Sequence, residues 1–375
     1  MRIRKYASFI LCLLLFSIVG GMAFAVSEDE LIDRQAEAIG VSDVEDAIPP
    51  EAHDLLPDTD LNSSVNFTEG FQGILRAGVG QLGGVFREAA RSAAILVVIA
   101  MLTGLFHSVY RSEGDTGPDY VVILGTLAIT AAAIGTGSAF LGLGLRTIRE
   151  LETFSAALFP TITLASTAAG GITSATVKYA GTILFLDILL TTSSRVIMPL
   201  IYAYIAASVG NAALGGESLK AAANLLKWIA GIFITTMMIA FVGYLTITGV
   251  VSGSADQVTT RVARTTIATA LPVVGGIVAD AAETVLAGAA LVRNGIGVMG
   301  LLVILAICLM PLLQLGAHYL MFKAAAGLSE GITDKRIGGL ISNLGTAFGM
   351  VMGLTGAGAM MLFFAIISMM RIVVR

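Results

Sequence analysis

The sequence is poor in charge. Only 13% of its 375 residues are Asp, Glu, Lys or Arg, about half the ~25% of an ordinary soluble domain. It is poor in cysteine as well. The two present, Cys12 and Cys308, lie in separate apolar runs. A mature chain that has lost its N-terminus cannot form an internal disulfide, and each cysteine reads as a small packing residue. The three histidines, His53, His107 and His318, are scattered. No spacing of His, Cys and carboxylates suits a metal. There is no Gly-Lys-Ser/Thr phosphate loop, so ATP hydrolysis is not expected of this chain, nor is a cofactor. What the sequence has in excess is apolar: 56% of residues are hydrophobic and the mean hydropathy is +0.88. A fold bathed only in water cannot bury that much, so the bilayer must be part of its solvent. That excludes a typical cytosolic enzyme, a nucleic-acid-binding protein and a disulfide-stapled secreted domain.

The formal net charge is −4, and its distribution is more informative than its sum. Residues 1–25 carry Arg2, Arg4 and Lys5 and no acid. They have the three parts of an export signal: a basic start, an apolar core from about Ala7 to Val19, and the small-x-small triplet Ala23-Phe24-Ala25. Residues 26–69 are strongly acidic, with one base, Arg34, and are interrupted by Pro49, Pro50 and Pro57. They read as a poorly ordered extracytoplasmic segment, since cytoplasmic flanks favour Lys and Arg.

Residues 70–91 differ. Phe71, Ile74, Leu75, Val79, Leu82, Val85 and Phe86 recur at three- and four-residue steps, with Gln72, Arg76, Gln81, Arg87 and Arg91 between them. The spacing predicts an amphipathic helix. It suits a membrane surface, with bases near lipid phosphates, or equally a docked position on its own protein.

Residues 92–375 form the membrane domain. Six apolar runs are long enough to span: 92–110, 120–143, 179–208, 228–251, 295–315 and 339–370. Two more, 154–177 and 265–291, contain Pro160 and Pro272 respectively; each either spans or dips in and returns. The expectation is an all-α polytopic bundle of six to eight spans, because backbone polar groups in lipid must be bonded within their own segment. Gly345, Gly349, Gly353 and Ala357 make a four-residue ladder in the last run. It lets another backbone approach closely, within the bundle or in a second copy of the chain.

Ionisable residues inside spans are costly and need a reason. Asp187 and Arg195 are eight residues apart, about 12 Å along a helix. That is too far for a direct pair, unless the run breaks near Thr191-Thr192-Ser193-Ser194. Asp280 and Glu283 share one helical face, and Arg293 ends the same run. These five residues are the candidates for an intramembrane polar path, or for fixing helices against one another.

The segment Leu271-Pro272-Val273-Val274-Gly275-Gly276, followed by Asp280-Ala281-Ala282-Glu283 and Arg293-Asn294-Gly295-Ile296-Gly297, resembles the stage III sporulation protein AE family of endospore-forming bacteria. The plan of signal, acidic segment, amphipathic helix and multi-span domain resembles it too, as does Pro311-Leu312 with the later Lys323-Ala324-Ala325-Ala326. The resemblance implies a role in endospore formation, in the mother-cell membrane around the engulfed forespore. It implies membership of a complex connecting the two cells, like a specialised secretion system or feeding channel. Its other parts would be ring-forming extracytoplasmic proteins, a forespore-side partner and a cytoplasmic ATPase. Family-motif positions here include Pro272, Gly275 and Gly276; no catalytic residues carry over. Two other readings compete: a self-contained transporter of a small solute, and a non-conducting scaffold.

Overall fold

A computed structural model of the chain describes residues 34–56, 67–110, 119–270 and 275–371. Side chains within its helices are described except at 134, 136–141, 173–174 and 249–285. The described residues are all-α and contain no strand. The short helices α1 (Val41–Asp46) and α2 (Pro50–His53) follow a helical stretch at 34–38 and precede the long ones. These are α3 (Phe67–Tyr110), α4 (Tyr120–Ala168), α5 (Ile172–Thr192), α6 (Met198–Leu214), α7 (Glu217–Ala270), α8 (Gly275–Glu330) and α9 (Lys335–Met370). One turn of π-helix, Ser193–Ile197, joins α5 to α6 without a break. Among the described residues, five segments are long and apolar enough to cross a membrane: 67–110, 175–214, 217–248, 286–330 and 335–370.

The amphipathic stretch and the first apolar run are one helix. α3 has 44 residues, about 66 Å at 1.5 Å per residue, and stands along the bundle. Residues 120–168 likewise form one helix, which carries Pro160 and the charged stretch Arg146–Glu152 in its interior.

Central to the bundle is α8, whose residues Leu301–Ile304 and Ala306–Cys308 are buried. Small residues set the approach of its neighbours. A Cβ at Gly70 would meet Leu302, and one at Gly78 would sit 2.6 Å from Leu309 Cδ2. A Cβ at Gly104 would lie 2.5 Å from the Ile332 carbonyl oxygen. So α3 runs in the same direction as α8. α9 returns along α8: Gly338 lies on Glu330, Gly345 on Phe322, Gly349 on Tyr319 and Gly356 on Leu312. α5 and α6 run against α9, with Lys178 at Ser368, Leu189 at Gly358 and Tyr204 at Asn343. In lipid the hydrophobic effect does not draw helices together, so this close packing and the hydrogen bonds between helices carry the cohesion.

The hairpin ends are tied by polar groups. Asp119 caps α4 by accepting from the Val122 N–H (3.2 Å), and its other carboxylate oxygen meets His107 Nε2 of α3 at 2.7 Å. Asp334 caps α9 in the same manner, accepting from the Arg336 N–H at 2.8 Å.

Residues 34–56, read above as poorly ordered, dock on α4 and α8. Ala36, Val41, Val44 and Ala52 are buried, while Glu37, Asp43, Glu45, Asp46, Glu51 and Asp54 stay outward. Gly40, with φ of +79°, makes the left-handed turn into α1, a conformation that favours glycine. Thr161 Oγ1 donates to its carbonyl at 3.4 Å.

Candidate functional site

The bundle gathers its polar groups in three places. The first is a pocket of about 210 Å³ at mid-height, between the docked arm, α4 and α8. Glu51 comes from the arm, Arg146 and Glu150 from α4, and Gln314 from α8. Pro311 lies within α8 and has no N–H, so the Ile307 carbonyl loses its α-helical donor. Both residues line the same pocket. The pocket thus offers two carboxylates, a guanidinium, an amide and a carbonyl oxygen freed from the helix ladder.

The second lies between α6, α8 and α9. Lys323 Nζ donates to Ser342 Oγ and to Thr346 Oγ1, both at 2.8 Å. Thr346 donates in turn to the Ser342 carbonyl (2.9 Å). Tyr204 is buried and donates from its hydroxyl to Asn343 Oδ1 at 3.1 Å. Lys323 is half-buried, and among the described residues hydroxyl oxygens alone receive its ammonium. A cation held by neutral acceptors can bind a passing anion or keep two helices in register.

The third is an outward face. Asp187 on α5 and Arg195 in the π turn are both exposed, in a stripe with Ile183, Leu184, Ile188, Thr191 and Val196. They do not meet each other inside the bundle. The π turn falls two residues after Thr191, so the run is distorted there and not interrupted.

The other candidates are dispersed. Arg293 on α8 is buried, with Nη2 3.4 Å from Asn294 Oδ1. Asp280 and Glu283 belong to α8, and Gly275 and Gly276 open it, but the side chains at these positions lie outside the described ones. Pro272 lies outside the described residues. Of the glycine ladder, Gly345 and Gly349 face α8, Ala357 is buried, and Gly353 faces open space. Three of its four members therefore pack inside the chain.

Sequence reasoning misses the Lys323 cluster because Ser, Thr and Asn do not stand out in an apolar run. The signal available is Ser342 and Thr346 at i, i+4, matched to the one lysine in the run opposite. It misses the pocket because α1 and α2 are too short to show a period. It also misses Lys178, which is 5% exposed and donates to the Ser368 carbonyl at 2.7 Å. Ser368 lies in the last turn of α9, where the helix dipole favours a cation.

Long apolar helices, buried small-residue contacts and polar groups confined to a few sites define a polytopic, membrane-embedded helical protein. The model of the family described as stage III sporulation protein AE matches residues 59–373, and the chain belongs to that family. It is 21% identical over 320 residues to the stage III sporulation protein AE of Bacillus subtilis (strain 168), across 82% of this chain and 79% of that one. No solved structure matches the chain. Membership places it among sporulation proteins, and the matched span takes in α3 to α9.

Proposed function

We propose that the chain is a membrane subunit of a multiprotein channel or secretion-like complex between the mother cell and the forespore. Its partners on this reading are ring-forming extracytoplasmic proteins, a forespore-side protein and a cytoplasmic ATPase. The observation that carries the reading is the outward pair Asp187 and Arg195 in an otherwise apolar stripe. Left against lipid, each charge costs about 2.5–3.5 kcal/mol at the bilayer centre. A neighbouring protein helix with a complementary polar group removes that cost. A self-sufficient transporter has no use for charges on its outside. The docked acidic arm supports the same reading, since Glu37, Asp43, Glu45, Asp46 and Asp54 are exposed on the surface where a partner can reach them.

The test is a double variant, Asp187→Leu with Arg195→Leu, in sporulating cells. Both side chains are exposed, so the chain should accumulate normally. Spore yield should fall after engulfment while vegetative growth is unaffected. Normal spore yield at normal protein level would remove this face from the function.

A further inference from the structure

The two sides of the bundle differ at one and the same height. Contacts across the molecule define a waist: Gly78 of α3 lies on Leu309 and Leu313 of α8, and Gly356 of α9 lies on Leu312. Two residues along, Gly358 touches Leu189 of α5 and Leu151 of α4. α7 joins through Phe241, whose ring is 5.4 Å from that of Phe185. On the α7 side this height is apolar, with one charge, Lys227, near its end. Leu225, Trp228, Ile229, Ile232, Ile239, Val242 and Ile247 are all exposed there. From Leu225 to Ile247 the band is about 33 Å tall, close to the ~30 Å hydrocarbon core of a bilayer.

On the α3 side the same height is mostly polar. Gly73, Arg76, Gly80, Gly83, Arg87 and Arg91 are exposed and follow three- and four-residue steps, which puts them on one outward stripe. Gln72, Gln81 and one acid, Glu88, are exposed beside it; the arginines outnumber the acid three to one. A Cβ at Gly73, Gly80, Gly83 or Gly84 would meet nothing within 4 Å. Leu75 and Val79 are exposed at this level too, but the continuous run of exposed apolar residues on α3, from Ile95 to Tyr110, lies below it. Charged α4 residues Arg146, Arg149 and Glu152 are exposed near the waist as well. Lipid cannot cover three arginines at the depth of the α7 band without a large cost. A second copy of α3 packed in parallel would set Arg76 against Arg76 and Arg87 against Arg87.

We infer that the outward stripe of α3 from Gly73 to Arg91 is the basic wall of a water-filled path, at the depth of the apolar band on α7. The exposed glycines keep the wall flat and the path wide, and the arginines favour anionic solutes over cationic ones. The inference deepens the complex-subunit reading and rests on it for what the path serves; water contact is measured apart from that.

The experiment is single-cysteine labelling of the full chain in open membrane fragments, where reagent reaches both faces. The background carries Cys12→Ala and Cys308→Ala. Gly73→Cys and Gly80→Cys probe the stripe, and both sites have open space for the new side chain. Ile232→Cys and Ile239→Cys probe the apolar band. A water-soluble, lipid-insoluble methanethiosulfonate should label the two stripe positions and spare the two band positions. A negatively charged reagent should react faster with Gly80→Cys than a positively charged one of equal size. Protection of both stripe positions would overturn the inference, because protein or lipid would then cover the wall. Equal labelling of stripe and band would overturn it too, because the waist would lie outside the membrane. Faster reaction of the cationic reagent would overturn the anion preference. None of these results depends on whether partner subunits are found.

Discussion

At the scale of the residue, the glycines divide by what faces them. Gly104 has the Ile332 carbonyl oxygen 2.5 Å from its Cβ position, and backbone cannot rotate away. Gly104→Ala should lower stability by about 1–3 kcal/mol, as overpacking does. Gly353 faces open space within α9, so Gly353→Ala should raise stability by up to about 1 kcal/mol through helix propensity. Thermal unfolding in mild detergent checks both signs; a stable Gly104→Ala would mean that α3 and the end of α8 are not in contact. Lys323 separates packing from function. Its partners Ser342 and Thr346 lie on α9, and Thr346 keeps its bond to the Ser342 carbonyl without the ammonium. Lys323 is half-buried and its partners are neutral hydroxyls, so removing it leaves no uncompensated charge behind. Lys323→Met should therefore leave the melting temperature nearly unchanged and reduce spore yield. A large fall in melting temperature would make Lys323 a strut between helices.

At the scale of the element, legibility followed length and period. The three- and four-residue spacing finds Ile74 and Val85, which are buried, but it also takes in Leu75 and Val79, which are exposed; the face that meets α8 is set by Gly70, Ile74 and Gly78, and a glycine carries no apolar signal. The end of the helix is not marked. Nothing between Arg91 and Ser92 stops it, so amphipathic stretch and apolar run continue as one rod. In α4 the same blindness hides that charged residues 146–152 sit inside a continuous helix, since polarity alone does not break backbone hydrogen bonds. α1 and α2, with 6 and 4 residues, carry no period to read. Rarity of charge finds Asp187 and Arg195, but only packing shows that they point outward. Gly83→Leu meets no atom within 4 Å at its Cβ, so the chain should fold and reach the membrane in normal amount. It should still impair sporulation by narrowing the path. Wild-type spore yield from a normally expressed Gly83→Leu chain would mean that the stripe does not need to be flat.

At the scale of the whole molecule, the described bundle has three unlike sides. α7 presents an apolar band; α5 and the π turn present an acid and a base in an apolar stripe; α3, α4 and the arm present polar and charged groups at the same height. A molecule surrounded by lipid on all sides has no reason to differ so. A subunit placed between lipid, a neighbouring protein and water does. The most direct measurement is affinity purification of the full chain in mild detergent, from cells at the engulfment stage, with mass spectrometry of what comes with it. The account predicts recovery of ring-forming extracytoplasmic proteins and a secretion-type ATPase, and their loss from the Asp187→Leu, Arg195→Leu chain. Recovery of the chain alone, stable and monodisperse, would contradict it.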